Sequence, residues 1–173
     1  SGFDYTNFDI PATITTVKEA AFSGIEKLYE IVLPESLKVV ESRAFENCKN
    51  LKVVTLNSDE CEIGSYAFNN CESLTTVNNI DLVKEFNEYV FAKTSLESLD
   101  LNDVTIKDGA FSGISTLTTV SLKADELGSY AFNNCSNLTS LTLDCAEIGA
   151  YAFDNCKKLE NVVLTDVELI GEA

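Results

Sequence analysis

The run Ile148-Gly149-Ala150-Tyr151-Ala152-Phe153-Asp154-Asn155-Cys156-Lys157-Lys158-Leu159-Glu160-Asn161-Val162-Val163-Leu164 holds, in order, the residue types that recur along this chain. Working back from it, the Ala-Phe anchor returns at Ala131-Phe132, Ala110-Phe111, Val90-Phe91, Ala67-Phe68, Ala44-Phe45 and Ala21-Phe22, at spacings of 21, 21, 20, 23, 23 and 23 residues. Three residues after each Phe stands Ile25, Cys48, Cys71, Thr94, Ile114, Cys135 or Cys156. Six after it stands Leu28, Leu51, Leu74, Leu117, Leu138 or Leu159. The fourth unit departs from this register: Glu97 holds the leucine's place and Leu96 comes one residue early. A fixed period of this length marks a stacked-repeat architecture.

Each unit reads alike. A short segment such as Glu62-Ile63-Gly64 or Glu147-Ile148-Gly149 leads into the Ala-Phe pair, which the pattern places on one tight helical turn, Ala close to the core and Phe filling it. A polar corner follows (Asn69-Asn70, Asn133-Asn134, Asp154-Asn155), built of residues that tolerate turns. An alternating strand closes the unit, as in Leu117-Thr118-Thr119-Val120-Ser121-Leu122, and its β-branched residues suit a pleated ladder. One unit cannot bury its own apolar face, whereas stacked units can. The expected fold is therefore a leucine-rich repeat: a right-handed parallel β-solenoid of about seven 20–23-residue repeats with short helical turns, about 35 Å long at roughly 4.8 Å per strand. Residues 5–10 read as the strand of an earlier, incomplete repeat, and Ile170-Gly171-Glu172-Ala173 as the start of an eighth. The 173 residues form a single domain, 1–173. Without a capping repeat or an initiator Met, and with Ser1-Gly2 reading as a processing end, the chain is expected to be a fragment of a longer protein.

The repeat pattern Ile-Gly-x-Tyr-Ala-Phe-x-x-Cys-x-x-Leu-x-x-Val-x-Leu resembles the BspA-type (Treponema-type) leucine-rich repeat family over about residues 5–171. The resemblance implies a concave parallel sheet on extracellular or cell-surface proteins of gut and oral bacteria and some parasitic protists, described as adhesins or host-protein binders. It carries over no catalytic residue. The chain departs from the pattern at Val90 and Thr94, and in its shortened later spacings.

Composition narrows the function. Twenty-eight acidic residues against 12 scattered basic ones give a net charge of −16, the wrong sign for nucleic acid or an anionic membrane surface. No apolar run is long enough to span a bilayer, so no membrane insertion is expected. With no His, Ser–His or Cys–His activation is unavailable, and no phosphate-binding glycine loop occurs. No enzyme and no cofactor are expected. Cys48, Cys71, Cys135 and Cys156 share a phase that Ile25 and Ile114 occupy elsewhere, which reads as buried packing. A disulfide within a laddered pair is sterically possible but would distort the ladder. Cys61 and Cys145 fall outside that phase and are expected to be more exposed.

Three surface features remain. Glu62, Glu85, Glu126 and Glu147 each lie six residues before a Phe, and the doublets Asp125/Glu126, Asp144/Glu147 and Asp166/Glu168 enter consecutive turns. That ladder reads as a solvated rim, as a weak site for calcium or another hard cation on Asp125, Glu126, Asp144 and Glu147, or as the paired acids of a polysaccharide-acting solenoid. Tyr66, Tyr89, Tyr130 and Tyr151 form a column two places before Phe, either packing or an aromatic platform. The outward strand positions Thr75, Thr76, Asn78, Glu97, Ser98, Asp100, Thr118, Thr119, Ser121, Thr139, Ser140 and Thr142 give a hydroxyl-rich face about seven strands wide, the expected recognition surface. Two sequons, at Asn134 and Asn137, matter only in a secreting eukaryote. The leading reading is a non-catalytic binding or adhesion module taking a protein or glycan ligand on a host or cell surface. A carbohydrate-active solenoid and a structural spacer are the alternatives.

Overall fold

The computed structural model describes residues 8–172. Residues 5–7 of the expected first strand lie outside the described residues. The strands run in chain order as β1 (Phe8–Asp9), β2 (Thr16–Val17), β3 (Glu30–Leu33), β4 (Val39–Val40), β5 (Val53–Leu56), β6 (Glu62–Ile63), β7 (Thr76–Asn78) and β8 (Glu85–Phe86). They continue as β9 (Ser98–Ile106), β10 (Thr119–Leu127), β11 (Ser140–Asp144), β12 (Glu147–Ile148), β13 (Asn161–Thr165) and β14 (Leu169–Ile170). Every pairing is parallel and, within each sheet, joins equivalent segments of successive coils. The fold is a parallel β-solenoid with a front row of strands and a shorter side row.

The front row follows the sequence pattern. Ile31 and Leu33, Val54 and Leu56, Leu99 and Leu101, Val120 and Leu122, and Leu141 and Leu143 point inward and are buried, while the residues between them face out. The side row adds Val17, Val40 and Ile63, then Phe86, Ile106, Leu127 and Ile148. All the Leu residues of the six-after-Phe phase from Leu28 to Leu138 are buried, including the early Leu96, whereas Leu159 is only partly buried.

The phenylalanines form one continuous stack. Neighbouring rings from Phe22 through Phe45, Phe68 and Phe91 lie 5.2–5.3 Å apart and within 4° of parallel. Phe111, Phe132 and Phe153 continue at 5.4 and 5.6 Å. The inner five rings are fully buried and the terminal pair, Phe22 and Phe153, half-buried. One interval is wider: Phe91 and Phe111 stand 6.1 Å apart. There Phe86, on the side row, leans in at 5.1 Å from Phe111 and 6.1 Å from Phe91. An aromatic ring thus takes a place held by Val, Ile or Leu in other coils.

Two expectations need correction. The Phe corner is not a helical turn, and among the described residues the sole helical element is a 3-10 turn at Ile80–Leu82. Along each corner the backbone N–H groups alternate. Ala67 and Asn69 donate locally, to the carbonyls of Gly64 and Tyr66, while Tyr66, Phe68 and Asn70 donate to Glu88, Val90 and Ala92 of the next coil. An α-helical turn would spend all of them within its own chain segment. The alternation needs a left-handed residue on either side of Phe. Arg43, Tyr66, Tyr89, Gly109, Tyr130 and Tyr151 take that conformation two places before it, and Asn47, Asn70, Lys93, Gly113, Asn134 and Asn155 two places after.

The front face is also not one uninterrupted sheet. β1-β3-β5-β7 form one group and β9-β10-β11-β13 another, and no strand pairing joins β7 to β9. After Asn78 the chain turns off the face through left-handed Asn79 and the 3-10 turn. Beyond this joint the repeat shortens from 23 to 20–21 residues, and front and side segments fuse into the nine-residue strands β9 and β10. Glycine makes the close stacking possible where the side strand meets the corner: a Cβ on Gly149 would lie 2.5 Å from the Ser129 nitrogen.

Phe68→Ala, which empties the middle of the stack, is expected to cost about 3–5 kcal/mol. Phe22→Ala, at the half-buried end, is expected to cost clearly less. Urea denaturation followed by circular dichroism measures both; equal losses would show that the rings do not act as a shared core.

Candidate functional site

The outward residues of the front face form straight columns because the register is in phase from coil to coil. In the second group Ser98, Thr119, Ser140 and Asn161 face one another across β9, β10, β11 and β13, and Asp100, Ser121, Thr142 and Val163 form the next column. In the first group the corresponding columns are Glu30, Val53 and Thr76, and Val32, Thr55 and Asn78. The structure therefore brings Ser98, Asp100, Thr119, Ser121, Ser140 and Thr142 together, with Glu97, Thr118 and Thr139 along their leading edge. Thr75, Thr76 and Asn78 fall across the joint, on the other group. Nine of these twelve are exposed, and Ser121, Thr139 and Ser140 are half-buried.

Several of these groups already serve the coil. The Thr118 hydroxyl donates to the Glu97 carbonyl at 3.0 Å and the Thr139 hydroxyl to the Thr118 carbonyl at 3.1 Å. Asn78 donates through Nδ2 to the Thr55 hydroxyl oxygen at 2.9 Å. What Thr118 and Thr139 offer a ligand is thus acceptor lone pairs and methyl groups, not free donors. On the first group Tyr29 and Val32 are exposed beside Lys52, and on the second the outward column ends at the exposed Val163 of β13.

The four carboxylates singled out as a cation site divide into two places. Glu126 and Glu147 are direct register partners, and the column ends at Leu169. Asp125 and Asp144 instead line a separate cleft of about 330 Å³ with Asp103, Asp166 and Glu168. Lys123, 3.6 Å from Asp103, sits in that cleft as a counter-charge. Asp103 escaped the sequence pattern because it is the extra residue of a β-bulge: Lys123 pairs with Asn102 and Ala124 with Val104, leaving Asp103 out of register in a left-handed conformation. Among the described residues no group of three or more acidic or thiol side chains has a geometry able to hold a metal ion. Farther along the ladder Glu85 is 3.8 Å from Lys107, an exposed pair of small energetic weight.

The tyrosine column stands on the outer side of the Phe corner. Tyr66 and Tyr89 stack at 5.1 Å, Tyr130 and Tyr151 at 5.2 Å, and the Arg43 guanidinium lies 4.6 Å from the centre of the Tyr66 ring. Burial, with the neighbouring Tyr66, Asp108 and Tyr130, raises the Tyr89 phenol above its ordinary pKa.

The cysteine column is more than apolar filling. Cys48, Cys71, Cys135 and Cys156 each donate through Sγ to the Phe carbonyl of the preceding coil, at 3.0–3.3 Å. Where the next coil has Ile114 in that phase, the Phe91 carbonyl takes its hydrogen bond from Thr94 of its own coil at 2.8 Å. All six cysteines are free thiols. Their exposure corrects the expectation at two positions. Cys145 is buried, because it follows Asp144, the partner of Lys123, and so falls in line with buried Ala124 and Val104. Cys156 is half-buried, on the same outer corner as Phe153.

The model of the BspA type leucine rich repeat region matches the chain in six copies over residues 1–105 and 102–173. Among solved structures, the Treponema pallidum leucine rich repeat protein superposes with a TM-score of 0.75 at 26% identity, over 87% of this chain and 76% of that one. A leucine rich cell surface protein from Faecalibacterium prausnitzii shares the fold with a TM-score of 0.50 at 21% identity, over 91% of this chain and 59% of its own length. No curated protein sequence matches the chain.

Burial pushes the Cys48 and Cys156 thiols up to about 11 and Cys135 to about 12, with Cys71 higher still. Because these folded values exceed the unfolded one, the stability contributed by neutral thiols is complete below about pH 9 and is lost as pH climbs toward 11–12. The melting temperature of wild type is expected to fall more steeply between pH 9 and 11 than that of Cys71→Val/Cys135→Val. Thiol titration at pH 8 is expected to label Cys61 and Cys156 first. Rapid native labelling of Cys71 would contradict this placement.

Proposed function

The chain belongs to the BspA-type leucine-rich repeat family, and from that premise we propose that it is a non-catalytic binding module of a cell-surface or secreted protein, taking a protein or glycan ligand along its front strands. The observation that carries this reading is the in-phase polar array of the second group, where Ser98, Thr119, Ser140 and Asn161 repeat one strand spacing apart, all exposed but the half-buried Ser140. A flat lattice of short side chains lets an extended partner lie close to the backbone and repeat the same weak contact in successive coils. The array lacks the Trp and Arg anchors of tight interfaces, so affinity comes from repetition rather than from one pocket. The T. pallidum protein supports the fold over most of its own length, and the F. prausnitzii protein is itself described as a cell surface protein.

The test is a panel of immobilised extracellular-matrix proteins and glycans, probed with wild type, a front-face double variant Thr119→Arg/Ser140→Arg and a side-face control Glu62→Arg. Binding is expected to fall at least about tenfold in the front-face variant and to persist in the control. Equal binding by all three, or turnover of any polysaccharide in the panel, would overturn the reading.

A further inference from the structure

The solenoid is continuous along the Phe corner but interrupted on both strand rows, and the two interruptions fall one coil apart. On the side row β2, β4 and β6 pair among themselves, β8 pairs with β9, and no strand pairing joins β6 to β8. On the front row none joins β7 to β9. The division therefore passes through the fourth coil. Its front strand, β7, belongs to a block of residues 8–78, and its side strand, β8, to a block of residues 85–172.

The missing rungs are specific. Gly64 donates to the Val40 carbonyl and Gly149 to Leu127, each at 2.7 Å, but the Ile63 carbonyl takes its bond from the Asn87 side chain at 2.9 Å. The Thr75 N–H donates to Lys52 at 3.1 Å and Thr118 to Glu97 at 2.9 Å. Among the described residues, no N–H of the fifth coil reaches the Thr75 carbonyl. At the side break lies a cleft of about 430 Å³, with Glu60, Cys61 and Glu62 on one wall and Lys84 and Glu85 on the other.

What joins the blocks lies on one line. Among the described residues, the backbone bonds between them run from Tyr66 to Glu88, Phe68 to Val90, Asn70 to Ala92 and Ser95 to Leu74, at 2.8–2.9 Å, all along the corner. The Tyr66–Tyr89 and Phe68–Phe91 ring pairs stand on the same line, at 5.1 and 5.3 Å. Away from it the packing loosens: Val77 is half-buried, where Val54, Leu99, Val120 and Leu141 in its phase are buried. The connecting segment 79–84 comprises left-handed Asn79, the 3-10 turn, Val83 and Lys84, and only Val83 of it is buried. Two bodies joined along one edge and unpaired on the other two sides have the form of a hinge, in which a few loop residues absorb the change of angle.

We propose that residues 8–78 and 85–172 are two rigid blocks that rock about the corner line, with 79–84 as their flexible connection. Closure narrows the cleft between Glu62 and Glu85, and the Asn87 side chain is the strap that limits opening. The rocking changes the angle between the two halves of the front face, whether or not that face carries a ligand.

Residual dipolar couplings of the backbone amides, measured on the weakly aligned whole chain, read this motion, because hinge movements on the microsecond-to-millisecond scale average them. Each block is expected to fit an alignment tensor of its own, with a lower degree of order in one block than in the other, and a single tensor is expected to fail. Asn87→Leu, which cuts the strap, is expected to enlarge that difference. Ser112→Ala, which removes the hydroxyl bond from Ser112 to the Asn133 carbonyl inside the second block, is expected to leave it unchanged. Should Asn87→Leu fail to fold, the wild-type couplings decide alone. A single tensor that fits every amide, two tensors of equal order (a fixed bend), or equal responses to Asn87→Leu and Ser112→Ala overturns the proposal.

Discussion

The whole molecule depends on how the Phe corner disposes of its backbone. A turn normally satisfies its N–H groups locally and so cannot stack on a copy of itself. Here every second N–H of the corner points along the solenoid axis: Phe45 donates to Ala67, Phe68 to Val90, Phe111 to Ala131 and Phe132 to Ala152, each at 2.8–2.9 Å. The corner is thereby a third ladder beside the front and side strands. Its stacking brings the Phe rings to one coil spacing, and the cysteine thiols complete the Phe carbonyls from the following coil. Hydrogen bonding and apolar burial are satisfied by the same translation, which explains why a short unit repeats with so little variation in its inner residues.

Much of this was legible in the sequence because the inner positions are constrained by packing. The phase of Phe, Leu and Cys predicted the core, the register and the outward columns, and Leu96 filled its place one residue early as its apolarity required. The character of the corner was not legible. Asn at 47, 70, 134 and 155 is a recognisable left-handed residue, but nothing in Tyr66 or Tyr130 signals a positive φ; an aromatic is held there by its stacked neighbours and by the inter-coil bond of its own N–H. Cys145 was misplaced because strand β11 and the turn after it carry it round the corner into the core, a change of direction that alternation alone does not reveal. The joint between β7 and β9 was partly legible, since the fourth unit is the one whose register departs, yet the sequence pattern did not say that the front sheet would divide there.

The candidate surfaces inherit their order from that core. The outward columns are straight because the inward ones are, and the clefts between coils are shallow and acidic because the chain turns outward at its carboxylates. This suits recognition of an extended partner by many small contacts. The first group of front strands bears Tyr29, Val32 and Lys52 on its outer face, the second hydroxyls and carboxylates that give way to Val163 on β13.

Amide hydrogen exchange, resolved by residue, tests the central claim most directly. If the corner is a stacked ladder, the N–H groups of Phe45, Phe68, Phe111 and Phe132 exchange as slowly as those of Val54, Val120 and Leu141 in the front strands, since both open only when neighbouring coils part. If the corner is an ordinary local turn capping an otherwise sheet-based coil, the Phe amides exchange much faster than the strand amides, which would contradict a corner stacked from coil to coil.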